Sequence, residues 1–238
     1  MQKSLYLFPL GVFLILGSHA QASALVKKDH VNHVLTVSAK IIYSGAAVTE
    51  ESAQSCTQDI SDTWNKHPTT IELGGEQFKV VFAISMDLNS KTPDQPSSCE
   101  NNYIQILKLT APGDRSYYSG LGSQNGVFYT SDISSVTHTP AHEFGHGLML
   151  DHNPDDQFMS EVPGIMFGRG AVVKPEFRYV AAAPLGRPGS TVNPKYRQAR
   201  SVDIQAIPFD QLEFKDDSAC LGEGLNPLHA NNPNSGAQ

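Results

Sequence analysis

His142-Glu143-Phe144-Gly145-His146-Gly147-Leu148-Met149-Leu150-Asp151-His152 is the stretch that decides both the fold and the chemistry of this chain. On an α-helix, residues four apart lie one above the other, so His142 and His146 project from one face and can share a metal ion, with Glu143 one step round beside it. A structural zinc site closes its tetrahedron with four protein ligands, whereas hydrolysis needs three ligands and a position left for water. His152, beyond the end of such a helix, is the candidate third ligand, and Glu143 the candidate general base.

The surroundings agree with a helix here. Thr137 or Thr139 can cap its start, and Pro140 then falls in the first turn, where a missing N–H costs nothing. A strand-like run, Gly126-Val127-Phe128-Tyr129-Thr130, lies upstream, Gly164-Ile165-Met166-Phe167-Gly168 follows, and residues 200–207 begin a further helix. Together these resemble the metzincin signature H-E-x-x-H-x-x-G-x-x-H and its flanking elements, and the motif is most similar to the matrixin, or matrix metalloproteinase-like, branch. One position departs from the signature. Its glycine, where the chain swings back toward the metal, is Met149, for which a left-handed conformation costs roughly 1–2 kcal/mol. Met149 is therefore strained, or the helix breaks differently.

The resemblance implies an α+β fold of metzincin-like zincin type: a twisted mixed sheet with an antiparallel edge strand, an active-site helix, and an irregular C-terminal lobe with a terminal helix. It implies residues 126–130 as the edge strand that pairs with substrate, Met166 as the methionine beneath the metal, and one catalytic Zn2+ on His142, His146 and His152. The implied activity is peptide-bond hydrolysis by a zinc-activated water with Glu143 as base. Calcium is compatible with such a protein, but no motif here supports it.

Three readings compete. A gluzincin-like protease would take its third ligand from a downstream glutamate, Glu161 or Glu176. A non-catalytic secreted zinc-binding or adhesion protein could use the same scaffold, although the intact Glu143 argues against it. A hydrolase of a non-peptide amide would use the same water.

At the N-terminus Lys3, an apolar stretch over residues 5–16 and Ala20-Gln21-Ala22 follow the order of a secretory signal peptide. The apolar run is short for a membrane span of roughly 20 residues. Residues 1–22 are thus expected to be removed, leaving 23–238 as a single catalytic domain with its N-terminal lobe to about 152, secreted or periplasmic and without stable membrane association. A formal net charge of −7 and the lack of a basic tract argue against nucleic acid as a partner and leave protein or peptide substrate. Oligomeric state is not addressed by the sequence. Cys56, Cys99 and Cys220 allow one internal bridge in an oxidising compartment. In some metzincins a bridge ties the first helix to the chain's end, which by resemblance implies Cys56–Cys220.

Elsewhere residues 34–43 alternate as a first strand, and residues 48–66, opening Thr49-Glu50-Glu51, form a helix. Residues 71–88 read as a hairpin about Gly74-Gly75, residues 89–98 as a surface loop and 102–109 as another strand. Residues 153–195 are dense in Pro and Gly, and the tail from 225 reads as frayed.

Overall fold

The computed structural model describes residues 22–88, 98–111, 113–133, 137–152 and 162–222. Residues 1–21, residues 89–97 of the loop expected at 89–98, Glu161 and the tail from 225 lie outside the described residues.

The sheet is built on β2 (Val34–Ser44), whose period-2 pattern buries Leu35, Val37, Ala39 and Ile41 on one face. β3 (Thr69–Leu73) and β4 (Glu76–Leu88) form the expected hairpin, with Gly74 and Gly75 at positive φ in its two-residue turn. β4 runs parallel to β2 along the whole of it, and β5 (Asn101–Leu107) lies parallel on the other side. Next comes β7 (Asn125–Tyr129), parallel to β5, and then β6 (Tyr117–Tyr118), giving the order β3-β4-β2-β5-β7-β6.

Two expectations about strands need correction. Of residues 126–130, all but Thr130 belong to β7, an inner strand parallel to β5, and the antiparallel edge is β6, too short at two residues to show a period. The first strand is not 34–43. β1 (Ala22–Asp29) precedes it, running antiparallel to β2 and to β8 (Ser218–Gly222), so the two ends of the described chain are paired. The Ser23 hydroxyl donates to the Gly147 carbonyl, and Asn102 Nδ2 donates to the Ser23 carbonyl at 2.7 Å, which ties β1 to the site-bearing helix and to β5.

α1 (Glu50–Asn65) starts as the sequence predicts, with the Thr49 side chain accepting from Ser52 N–H at 3.1 Å. It packs on β4 and on α2 (Thr139–Gly147). Trp64 joins the two helices: its Nε1 donates to the Ala141 carbonyl at 3.0 Å and its ring meets Phe144 edge-on. Between residue 162 and β8 the described chain holds isolated bridges, single 3-10 turns and the short α3 (Ser201–Gln205), with a small second core of Phe167, Ala171, Val173 and Val192.

The disulfide is Cys99–Cys220, with Cα atoms 5.5 Å apart, and the expected Cys56–Cys220 pairing is incorrect. Alternation along β8 turns Ala219 and Leu221 inward and Cys220 outward, toward Cys99 ahead of β5, whereas Cys56 sits fully buried on the inner face of α1. Burial pushes the Cys56 thiol up to about 12, so it remains a protonated, apolar-like packing group.

Candidate metal centre

α2 has no side-chain cap of its own, contrary to the expectation for Thr137 or Thr139. The residue before the helix, His138, is left-handed at φ 48°, and Thr137 donates instead to the Asp132 carbonyl. Asp59, buried on α1, supplies the missing acceptor: one carboxylate oxygen takes the Ala141 N–H at 3.2 Å and the other lies 2.7 Å from His138 Nδ1. A negative group at a helix N-terminus is favourable through the helix dipole, so α1 fixes where α2 begins.

The other end carries Met149, the position at which the motif differs from the signature it resembles. Leu150 N–H reaches back to the Gly145 carbonyl at 3.0 Å and Met149 N–H to His146 at 3.1 Å, the paired bonds of a Schellman stop. Met149 stands at its left-handed position with φ 71°, a conformation at which glycine is at ease, and its side chain is buried in the main core. The helix therefore ends where the signature requires, with strain at Met149.

This reversal brings His152 back over the helix. The ring centroids of His142, His146 and His152 are 5.0, 5.2 and 4.9 Å apart, a nearly equilateral triangle. One ligand atom from each lies within 4.8 Å of the others, and the Nε2 atoms of His142 and His152 are 3.2 Å apart. Two nitrogens each ~2.0–2.1 Å from a tetrahedral zinc are separated by roughly 3.3–3.4 Å, so this spacing suits a first-row dication. The opposite nitrogens are engaged: His142 Nδ1 lies 2.6 Å from the Ile165 carbonyl and His146 Nδ1 2.8 Å from that of Leu150. Donation to these carbonyls fixes the tautomer that leaves Nε2 as a lone-pair donor. Burial holds His142 well below the usual imidazole range, His146 down to about 4, and His152 below its ordinary value, so all three are neutral, as ligation demands.

Glu143 is 8 % exposed, and burial raises its carboxyl to about 8, against the opposing charges of Arg197 and Arg169 and a hydrogen bond from the Tyr118 backbone N–H on β6. Beneath the helix lies Met166, 2 % exposed. A Cβ at Gly145 would stand 2.3 Å from its sulfur and 3.1 Å from Trp64, so glycine in the middle of the motif admits both side chains against the helix backbone. Glu176, one of the two glutamates considered as a ligand, is in the 3-10 turn Pro175–Phe177, lining a cavity of about 600 Å³ with His67, Phe177 and Gln198, and is not part of the histidine group. Arg197 was not singled out from sequence. Buried and within charge range of Glu143 and all three histidines, it was signalled only by the alternation Tyr196-Arg197-Gln198-Ala199, which places it inside with Ala199.

No family model and no curated protein matches this sequence. Among solved structures, one described as the structure of myroilysin aligns over 71% of this chain and 93% of its own, with 12% identity and a TM-score of 0.37. That likeness carries no weight for activity, and the chemistry rests on the geometry of the site.

Proposed function

We propose that this chain is a zinc-dependent endopeptidase of metzincin type, closest to the matrixin branch, exported through a cleavable signal peptide at residues 1–22 and folded as one catalytic domain over 23–238. The observation that carries the reading is the convergence of three neutral imidazoles, two of them locked at Nδ1 by carbonyls, beside a buried carboxyl on the same helix. His142, His146 and His152 would hold the ion, three protein donors being the number that leaves a position for water. Zinc, when bound, supplies Lewis acidity and lowers the pKa of water toward 7.

The chain supplies the rest. Glu143, buried on the same helix as His142 and His146, takes the proton of the attacking water on its carboxylate and hands it to the departing amine. Ile165 and Leu150 hold the imidazoles in one tautomer through the cycle. The Cys99–Cys220 disulfide is in keeping with an oxidising compartment, and among the described residues no helix is long and apolar enough to cross a membrane.

The test combines metal analysis with peptide cleavage. The mature protein should carry about one zinc per chain and cleave a mixed peptide library in a chelator-sensitive, zinc-restored manner. Glu143→Ala should keep the metal while hydrolysis falls by roughly 10²–10⁴-fold. Near-normal peptidase activity in that variant removes Glu143 from the mechanism.

A further inference from the structure

The two halves of the molecule meet beside both edges of the sheet, β3 and β6, and the two junctions differ. At β3 the junction is uncharged: His67 Nε2 lies 3.1 Å from Gln198 Oε1, and the Thr69 hydroxyl donates to that of Ser201 at 3.2 Å. Near β6 it is an ion pair in reach of solvent. Arg169 Nη2 donates to Asp132 Oδ1 at 2.8 Å, and the arginine side chain is 44 % exposed.

Each partner is fixed to its own half. Asp132 Oδ2 accepts the N–H and the hydroxyl of Ser116 at 3.1 and 3.0 Å, while its own N–H donates to the Tyr129 carbonyl, so the carboxylate is tied to the residue that leads into β6. Arg169 stands at the corner of a turn closed by Ala171 N–H on the Gly168 carbonyl at 3.0 Å. That turn abuts the site, because a Cβ at Gly168 would stand 3.8 Å from the His152 ring. On the opposite side, β6 leads past the base. It pairs with β7 along one edge only, Tyr118 N–H donates to the Glu143 carboxyl, and the Tyr118 ring packs on α2, where a Cβ at Gly147 would meet it at 3.0 Å. Ser116 is two residues upstream of Tyr118, roughly 7 Å along a strand. Glu143, β6, Asp132, Arg169, Gly168 and His152 therefore follow one another round a rim of the site, and the ion pair is the link in it that joins the two halves.

A peptide extends a sheet by lying along a free edge such as that of β6. Such a peptide passes Glu143 and then meets the Asp132–Arg169 link. We propose that this ion pair is a strap across one end of the substrate cleft, which makes chain length on that side of the cleaved bond a determinant of specificity. A peptide reaching about two residues past the bond fits short of the strap, and a longer polypeptide must open it. The inference rests on the peptidase reading above. The link is suited to opening: an exposed ion pair is weak and screened by salt, and Asp132, held by Ser116, stays in place when the arginine leaves. The strap selects by cost and does not exclude.

The experiment uses zinc-loaded mature protein and end-blocked peptides of one cleavable sequence, lengthened one neutral residue at a time on either side of the cleaved bond. In the unaltered protein kcat/KM should rise with length on both sides, then fall on one side alone once the peptide extends more than about two residues past the bond. Arg169→Ala should remove that fall, raising the ratio of long-peptide to short-peptide kcat/KM roughly 2–5-fold, the range for an exposed ion pair. Asp132→Asn should act likewise and the double variant no further, because both changes break one link. High salt should raise the ratio in the unaltered protein and leave it unmoved in Arg169→Ala, so the strap is read even where a variant fails to fold. Affinity of the same peptides for Glu143→Ala, by fluorescence anisotropy, reads the length pattern without hydrolysis. Cleavage whose length ratio ignores Arg169, Asp132 and salt overturns the strap and leaves the peptidase reading standing. The length pattern in binding, with no cleavage by the zinc-loaded protein, does the reverse, and absence of both sinks both.

Discussion

The chain up to His152 and the chain after residue 162 both build the histidine site, but by different means. The first half is held by long ladders and two helices whose caps and stops are satisfied locally or by a neighbouring helix, and it delivers His142 and His146 on a rigid face. The second half, apart from the short α3 and β8, has single bridges, 3-10 turns and a small core of its own, and it delivers the Ile165 carbonyl, Met166 and Arg197. His152 falls between them, on the exposed turn where regular structure ends. Periodic structure thus places the donors, and irregular structure sets their tautomer, their floor and their charge.

The first way to break this comparison is to ask whether the loop-borne histidine matters as much as the helix-borne ones. His152→Ala, His142→Ala and His146→Ala should each weaken zinc by more than the roughly 10–100-fold typical of losing an outer-shell partner, while Glu176→Ala leaves affinity unchanged. Competition with a chromophoric chelator measures all four. If His152→Ala keeps its metal and Glu161→Ala or Glu176→Ala loses it, the third ligand is a glutamate and the gluzincin-like reading replaces this one.

A second, smaller effect concerns protons in place of metal. In the chelator-treated chain the three imidazoles have folded values below the ordinary 6.5, so the unfolded chain binds more protons as pH falls. Their stability contribution is complete above about 6.5 and is lost toward about 4, the value for His146. Glu143 has the opposite sign: raised from 4.5 to about 8, its contribution is complete below 4.5 and lost as pH rises through about 8. Three groups against one give a melting temperature that peaks near pH 6.5 and declines more steeply on the acid side. A melting temperature that rises steadily from pH 7 to pH 4 would show that these histidines are charged in the folded state.

Third, the floor of the site can be tested from the helix side. Gly145→Ala adds a Cβ against the Met166 sulfur and Trp64. Overpacking costs about 1–3 kcal/mol and the gain in helix propensity returns ~1, so a net loss of up to about 2 kcal/mol is expected in chemical denaturation. Combining it with Met166→Ala should cost less than the sum of the two single changes, because the smaller side chain relieves the crowding. Strict additivity would mean that helix and floor do not press on each other.

The same contrast explains what was legible in the sequence. β2, the hairpin, α1 and the motif helix announced themselves through period, turn glycines and caps, and the three candidate ligands come together as their spacing suggests. β1 pairs with the adjacent β2 and with β8 at the other end of the described chain, and its Lys27-Lys28-Asp29 end carries no strand-forming residues to announce it; β6 is too short, because two residues cannot show a period. The disulfide was misassigned because pairing depends on which face of β8 a cysteine occupies, a fact of register. Arg197 went unseen because an arginine in an extended, proline-rich stretch gives no sign of burial until the path of that stretch is known.

The smallest expected effect belongs to the residue at the junction of the two halves. Met149 holds φ 71° where glycine is at ease, and Met149→Gly removes a left-handed penalty of roughly 1–2 kcal/mol. Read from the motif alone, that change stabilises. The side chain, however, is 6 % exposed and belongs to the main core, and burying a methionine is worth about 1.5–3 kcal/mol. Glycine also gives the unfolded chain more freedom, at about 0.5–1 kcal/mol. The terms nearly cancel, leaving a net loss of about 1 kcal/mol, a melting-temperature shift of roughly 2–4 °C for a chain of this size. Met149→Ala separates the contributions, since it keeps the strain and loses the packing, and it should be clearly worse than Met149→Gly. If alanine is tolerated better than glycine, backbone strain at this position is negligible and the helix stop is held by core packing alone.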